Sequence, residues 1–543
     1  MAVPPKWYQF LVGVFASLGS FNYGYDLGVI GGSVAAPSFS GYFNNPNADQ
    51  VGAVVSLFTG GGFFGALAAG PAADRVGRRI AIVIGAVCFI LGGILQAVAQ
   101  NLSFLYSGRA IAGFGVGFLV MIVPLYQAEI SHPSIRGRVT GLQQLMLGIG
   151  AVVATWLTHG TNTNLDDIDN NQWRIPLSIQ VVPAGVLGAL ILFFPESPRW
   201  LIDHGRREEG LKTLARLHSN GILDDPWVQE EFNQIEQAIE HEHTVAAKGY
   251  KDLFTDKSSF RRLFLVCAIQ ASVQMTGVSA IQYYTPEIYK GLNIGTSDAL
   301  KYQGVSNVLS VVAQACTVAL IDRIGRRWPL IIGNVVNGIC WIIVAASIAS
   351  FPTASPSLQH SLGWVFITIN WLYQISFSFT CGPLSWIIPA EVFDTKTRSK
   401  GVSIGVMTSF AFNTLIGQIT PIAMNSVGWR YFLTFVVCNF TNAVFFWATL
   451  PETAKRPLEE MNALFSGNKW FVAMGREKTE LVVNVWDTLE RWINERLEAG
   501  LHQVSIPCGI EGGTQPMRYS AAFILIANQS ARLVPSVSYC RTI

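Results

Sequence analysis

Asp74-Arg75-Val76-Gly77-Arg78-Arg79 and Asp322-Arg323-Ile324-Gly325-Arg326-Arg327 are two copies of one phrase. Each copy lies between two long apolar runs. Hydrocarbon offers no water to solvate so dense a charge cluster, so each copy must occupy a short loop at a membrane face. The repetition divides the chain into two related halves. In membrane proteins that organisation points to a transporter whose site lies where the halves meet.

Composition agrees with this reading. Half of the 543 residues are hydrophobic and only 13% are charged, against roughly 25% in soluble domains. A net charge of +2 provides no field for nucleic acid, and none is expected as a partner. Cys88, Cys267, Cys316, Cys340, Cys381 and Cys438 fall singly in apolar stretches, which predicts neither a disulfide framework nor a metal site. The chain has no His-x-x-x-His pair on a spanning run and no Gly-x-x-x-x-Gly-Lys-Ser/Thr loop, so it is not read as an enzyme or as ATP-driven. The first apolar run, from Phe10 to about Gly32, carries Asp26 and lacks a small-residue cleavage site; it is expected to be a span and not a cleavable signal.

A bilayer-crossing helix needs about 20 predominantly apolar residues. Suitable runs lie near 10–32, 51–73, 80–99, 104–127, 137–159 and 175–195, then near 260–285, 302–321, 328–350, 361–390, 400–424 and 430–450. The expected fold is therefore an all-α polytopic membrane protein with twelve transmembrane helices in two six-helix bundles, 1–195 and 260–450. Between them, 196–259 reads as a helical linker, because Leu211, Leu214, Leu217 and then Phe232, Ile235, Ile239 recur at helical spacing. It is too polar to cross and should tie the halves together. The tail at 451–543 carries an amphipathic pattern near 478–498 and loses periodicity beyond about 504, where disorder is expected.

Lys/Arg placement sets orientation. One set of loops holds Arg75, Arg78, Arg79, Arg136, Arg138, Arg323, Arg326, Arg327, Lys396, Arg398 and Lys400; the opposite set holds Arg174, Lys290, Lys301 and Arg430. The basic side, the linker and both termini are therefore expected in the cytoplasm. The loop with Asp166, Asp167 and Asp169 should face outside. So should the Asn101-Leu-Ser sequon, whose loop is so short that the asparagine is expected to stay unmodified.

Two features ask for a function. Asp26 sits in an apolar run, where a central carboxylate costs at least ~2.5–3.5 kcal/mol, and Arg109, also in an apolar run, is its obvious partner. Asp74 and Asp322 stand at helix–loop junctions with arginines following. Basic residues that merely fix topology account for the sign of charge but not for the recurring Asp and Gly. A gate at the inner face accounts for both.

Further phrases occur in order from about 10 to 460. They are Gly24-Tyr25-Asp26, Gly108-Arg109, Pro124-Leu-Tyr-Gln-Ala-Glu129, Pro195-Glu196-Ser197-Pro198-Arg199-Trp200, Gly382-Pro383-Leu-Ser-Trp386 with Glu391, and Pro451-Glu452-Thr453. Together with the two charged loops, the chain resembles the sugar-porter family of the major facilitator superfamily, in its fungal branch. The resemblance implies a monomeric carrier in the plasma membrane, with a central site open to one side at a time. It implies that Arg78, Arg79, Arg326 and Arg327 meet Glu129, Glu196, Glu391 and Glu452 across the cytoplasmic face as a gate. It also implies that Asp26 and Arg109 couple protons to sugar, so the proton gradient is the energy source and no cofactor is required.

The family's sugar site matches in part. Gln144, Gln274, Tyr283 and Trp386 fit its positions, and Asn413 is retained. Val273 stands where the family has glutamine, while Ser279 and Ser310 stand where it has asparagine. Asn307 lies one turn from Ser310, and Ser409 and Phe410 replace an amide and a tryptophan. A site that has lost these amides is not expected to recognise glucose in the family's ordinary way; a different ring, a polyol, a disaccharide or another polar metabolite is expected to fit it. The expected function is proton-coupled import of a sugar or related polyol. A facilitative uniporter or a carrier of another polar metabolite is the nearest alternative. A carrier-like nutrient sensor, signalling through its tail, is the alternative of another class.

Overall fold

The computed structural model describes residues 5–245, 252–393, 397–453 and 465. The expected tail pattern at 478–498 and the region beyond 504 lie outside the described residues. Everything described is helix, turn or loop, without strands. Ten helices are long and apolar enough to cross a membrane by length and composition, among them Ala48–Val76, Arg78–Ala97 and Leu102–Ile130 before the linker, and Arg327–Thr353 and Arg430–Thr449 after it. The first and tenth expected spans fall short of that hydropathy. Span 1 (Leu18–Ala35) buries Ser20, Asn22, Tyr23, Tyr25, Asp26 and Ser33, and span 10 (Pro356–Phe379) buries Asn370, Tyr373 and Gln374. Both polar faces point into protein, where their cost is lower than in lipid. Large apolar side chains such as Phe64, Leu91, Val182, Val312, Ile332 and Val444 are exposed around the outside, as a lipid-facing belt requires.

Spans 1, 7 and 10 are interrupted where side chains from other helices meet their backbone. Span 1 is interrupted at Ser17, between Pro5–Ala16 and Leu18–Ala35. There Gln127 donates to the Gly13 carbonyl and to Ser17 Oγ, each at 2.7 Å. Span 7 breaks between Lys257–Met275 and Val278–Lys290, where Gly277 adopts φ +96°. The freed Thr276 carbonyl accepts from Trp341 Nε1 at 2.7 Å, Asn439 Nδ2 at 3.1 Å and Tyr373 OH at 3.2 Å. Span 10 breaks at Thr380, before Cys381–Val392, and Thr317 Oγ1 donates to the Phe379 carbonyl at 2.9 Å. Irregular backbone at membrane depth survives only with such partners, and broken helices are where carriers build sites.

The linker is helical at Pro198–Asp203, Arg207–His218 and Pro226–Val245. Leu214 and Val228 pack together with Leu211, Phe232 and Ile235, while Leu217 joins the apolar core of the first half. Gln9 donates to the Leu217 carbonyl at 2.8 Å, and Trp200 Nε1 to the Asp74 carbonyl at 2.9 Å. These contacts seat the linker on the first half.

Side-chain hydrogen bonds between the halves, among the described residues, lie on the side away from the charged loops. Ser56 donates to Gln418 at 2.7 Å, Thr59 meets Thr414 at 2.8 Å, Thr163 meets Ser297 at 3.0 Å, and Asn307 donates to Thr155 at 2.8 Å.

A Cβ at residue 277 would lie 2.5 Å from the Trp341 ring, in a left-handed backbone that side chains rarely adopt. Gly277→Ala is therefore expected to destabilise the folded protein by about 1–3 kcal/mol, read as a lower melting temperature in detergent. Unchanged melting would remove this account of the span 7 break.

Candidate functional site

The span 7 break opens onto a cavity between the halves, with about 790 Å³ of space including its open mouth. Its wall combines Tyr23 and Gln144 from the first half with Gln274, Trp386, Ser409 and Asn413 from the second. Val273 and Gln274 lie in the last turn of the first segment of span 7, just before the break at Gly277, and line the cavity. Gln274 Nε2 donates to Ser409 Oγ at 3.0 Å.

Two expected binding residues stand behind the wall. Ser279 is fully buried and donates to Gln274 Oε1 at 2.6 Å. Tyr283 donates to Asn413 Oδ1 at 3.0 Å. They orient the amides that face the cavity and do not face it themselves. Tyr284 is buried and gives its hydroxyl to the Gly417 carbonyl at 2.5 Å, which makes it a packing contact.

Asp26 and Arg109 are paired. Arg109 Nη1 lies 2.5 Å from Asp26 Oδ1, and both side chains are fully buried. Arg109 Nε donates to the Val54 carbonyl at 2.8 Å, and its guanidinium lies over the Phe58 ring at 4.4 Å. Asp26 Oδ2 and Arg109 Nη2 have no partner. Tyr23, one turn before Asp26, reaches the cavity wall. The pair joins span 1 to span 4, with Val54 and Phe58 of span 2 packed against the arginine, and one oxygen of the carboxylate has no partner.

The two charged loops fold alike. Gly77 and Gly325 take φ +90° and +89°. After each, two successive backbone amides point at one carboxylate: Arg78 N to Glu196 Oε1 and Arg79 N to Glu196 Oε2, each at 3.1 Å, and Arg326 N and Arg327 N to Glu452 at 2.9 and 3.1 Å. Arg78 grips Glu129 with two bonds of 3.0 Å, and Arg326 grips Glu391 at 2.9 and 3.2 Å. Arg79 and Arg327 cap the Leu192 and Trp447 carbonyls. Burial pushes the Glu196 carboxyl above its ordinary range, while the amides of Ser197, Arg79 and Arg78 act the other way.

Arg78 and Arg326 meet the expected Glu129 and Glu391 through their side chains, and the backbone amides of Arg78, Arg79, Arg326 and Arg327 meet Glu196 and Glu452; in the described conformation each contact lies inside one half. Asp74 is also outside the cage: its side chain is 72% exposed and 3.5 Å from Arg78, a contact worth little. The Asp322 side chain lies outside the described residues.

The family model described as "Sugar (and other) transporter" matches residues 12–465. The chain belongs to this family. Relatives of this family member include an MFS-type transporter, criB, of Aspergillus cristatus (34% identical, covering 86% of this chain and 96% of the relative). They also include a quinate permease of Emericella nidulans (33%, 85% and 89%) and an MFS glucose transporter, mfs1, of Aspergillus flavus (30%, 84% and 89%). Among solved structures, the proton:xylose symporter XylE bound to 6-bromo-6-deoxy-D-glucose aligns with TM-score 0.71 at 24% identity, covering 84% of this chain and 99% of that one. XylE from E. coli in an inward-open conformation aligns with TM-score 0.70 at 23% identity, covering 84% and 100%. The fold is that of the major facilitator superfamily, and the protein is a multi-pass membrane transporter.

Within this transporter, the cavity also takes Gln282, Gln314 and Gln374, which sequence reasoning missed. A signal existed for Gln314: Asn307, Ser310 and Gln314 recur at helical spacing along one face of span 8 (Thr296–Ile324). Trp386 gives the wall its largest aromatic surface, so Trp386→Ala is expected to raise the KM of transported cargo about tenfold at unchanged protein delivery. An unaltered KM would take Trp386 out of the site.

Proposed function

We propose that the protein is a secondary active transporter that imports a neutral sugar or related polyol with protons, by alternating access. The same reading places it in a fungal-type plasma membrane with the linker and both termini in the cytoplasm, because the charged loops then obey the positive-inside rule. The observation that carries proton coupling is the Asp26–Arg109 pair: a carboxylate fully buried beside the cavity, with one arginine and one unpartnered oxygen. An intramembrane pair of this kind is expensive and marks proton relays. When Asp26 takes a proton it releases Arg109, and the loosened span 1–span 4 contact lets the halves tilt. On this reading the side bonded between the halves, away from the charged loops, is the outer one, and the described conformation faces inward.

In a transporter-null host, the wild type is expected to accumulate cargo and to lose that accumulation with a protonophore. Asp26→Asn should abolish uphill uptake and leave counterflow exchange. Uphill uptake that persists in this variant would overturn proton coupling at Asp26.

The quinate permeases among the relatives raise a second cargo, a hydroxylated ring bearing a carboxylate. The cavity wall argues against it. Its polar residues are amides, hydroxyls, a tyrosine and a tryptophan, with no Lys, Arg or His among the lining residues. An anion desolvated there has no charge partner. At pH 7, quinate is expected to compete with neutral polyol uptake at least about tenfold more weakly than the polyol itself does. Competition of equal strength would replace the neutral cargo with an anionic one.

A further inference from the structure

Gln96, in the last turn of span 3 (Arg78–Ala97), stands beside the arginine that pairs with Asp26, and its side chain is fully buried. Gly108 lets it approach: a Cβ there would lie 2.9 Å from the Gln96 backbone nitrogen and 3.0 Å from its Cγ. The amide is turned one way, because Nε2 donates to the Gly108 carbonyl at 3.4 Å. Oε1 then faces Arg109 Nη1 at 3.5 Å, and Nη1 is the same nitrogen that serves Asp26. That separation is the outer limit of a hydrogen bond. The Val54 carbonyl and the Phe58 ring hold the arginine from span 2.

Asp26 is the one carboxylate that Arg109 meets among the described residues. The other titratable groups within electrostatic reach of the pair are Tyr23 and Tyr25 of span 1 and Tyr283 and Tyr284 of span 7. Tyrosine is neutral at physiological pH. Spans 5 and 6 meet span 1 here through Leu147, Ala151 and Pro176, none of which titrates. A proton on Asp26 therefore leaves a buried guanidinium without an anion, which is costly. The neutral groups that accept its N–H bonds at that moment decide how readily the proton is taken.

We infer that Gln96 is a positioning residue for proton coupling: as Asp26 takes its proton, Arg109 Nη1 closes on the Gln96 carboxamide oxygen, and this acceptor sets the outside pH at which the carrier loads. The proton comes from outside water and goes to the unpartnered Oδ2 of Asp26. The arginine stays on Val54 and Phe58, and only the partner of one nitrogen changes. The inference rests on the proton-coupled reading above.

The test measures initial uptake of D-glucose, D-xylose and myo-inositol against outside pH in a transporter-null host, for wild type, Gln96→Leu and Gln96→Glu at matched delivery to the membrane. Gln96→Leu removes the acceptor and is expected to lower the pH of half-maximal uptake by about one unit, a tenfold higher proton demand. Gln96→Glu places a second carboxylate beside the arginine and is expected to raise that pH. A residue that only packs would slow uptake without moving the two profiles in opposite directions. Half-maximal pH values unmoved in both variants, or moved the same way, overturn the role of Gln96 and leave proton coupling at Asp26 standing. A wild type that takes up none of these probes, or whose uptake ignores both outside pH and a protonophore, overturns the reading beneath and the inference with it. Should Gln96→Leu fail to reach the membrane, Gln96→Asn, one methylene shorter, is expected to shift the profile the same way by less, and an unshifted profile there overturns the role equally.

Discussion

One interaction closes each half of this carrier: a single carboxylate that accepts two successive backbone amides at the start of a membrane helix. Glu196 does this for the helix that begins at Arg78, and Glu452 for the one that begins at Arg327. Helix starts present unpaired N–H groups and a positive dipole, so a buried anion is well placed there. The glycine before each pair turns the chain with positive φ, and the first arginine reaches a second carboxylate at the end of span 4 or span 10. Three spans and a stretch of neighbouring chain are thereby tied at one end. The tie is internal to each half, so a half can move as a body without breaking it.

The seam between the halves is made differently. Its described hydrogen bonds join hydroxyls and amides: Ser56 with Gln418, Thr59 with Thr414, Thr163 with Ser297. Neutral bonds of this sort are worth about 0.5–1.5 kcal/mol net each. A few of them hold a closed side and release it at modest cost. Ion pairs at the loops keep the bodies rigid, and weak pairs along the seam let them part.

The repeated charged phrase made the two-half architecture legible, because dense charge between apolar runs has few places to go in a bilayer. Asp26 and Arg109 were legible as partners for the same reason. Other features were not. Ser17 and Thr380 break their spans without any residue that forces a break, and only the tertiary donors at each site reveal it. Ser279 and Tyr283 were assigned to the cavity but stand one layer back, a distinction that depends on rotation of a helix buried on most sides. Gln314 was overlooked although it continues the polar stripe that Asn307 and Ser310 mark along span 8. The linker's apolar spacing announced helices, yet its seat on the first half came from single contacts such as Gln9 with Leu217.

The isolation of Asp26 and Arg109 has an electrical consequence. While paired they sum to zero charge, so an empty carrier that swings them through the bilayer feels little of the membrane voltage from this site. On the proposed coupling, a proton on Asp26 would leave the guanidinium uncompensated, and the loaded carrier would then move one positive charge. Each such charge is worth about 2.3 kcal/mol per 100 mV. A carrier that takes its proton at this carboxylate would therefore be driven inward by a negative interior on its loaded stroke and return on a stroke that is electrically quiet.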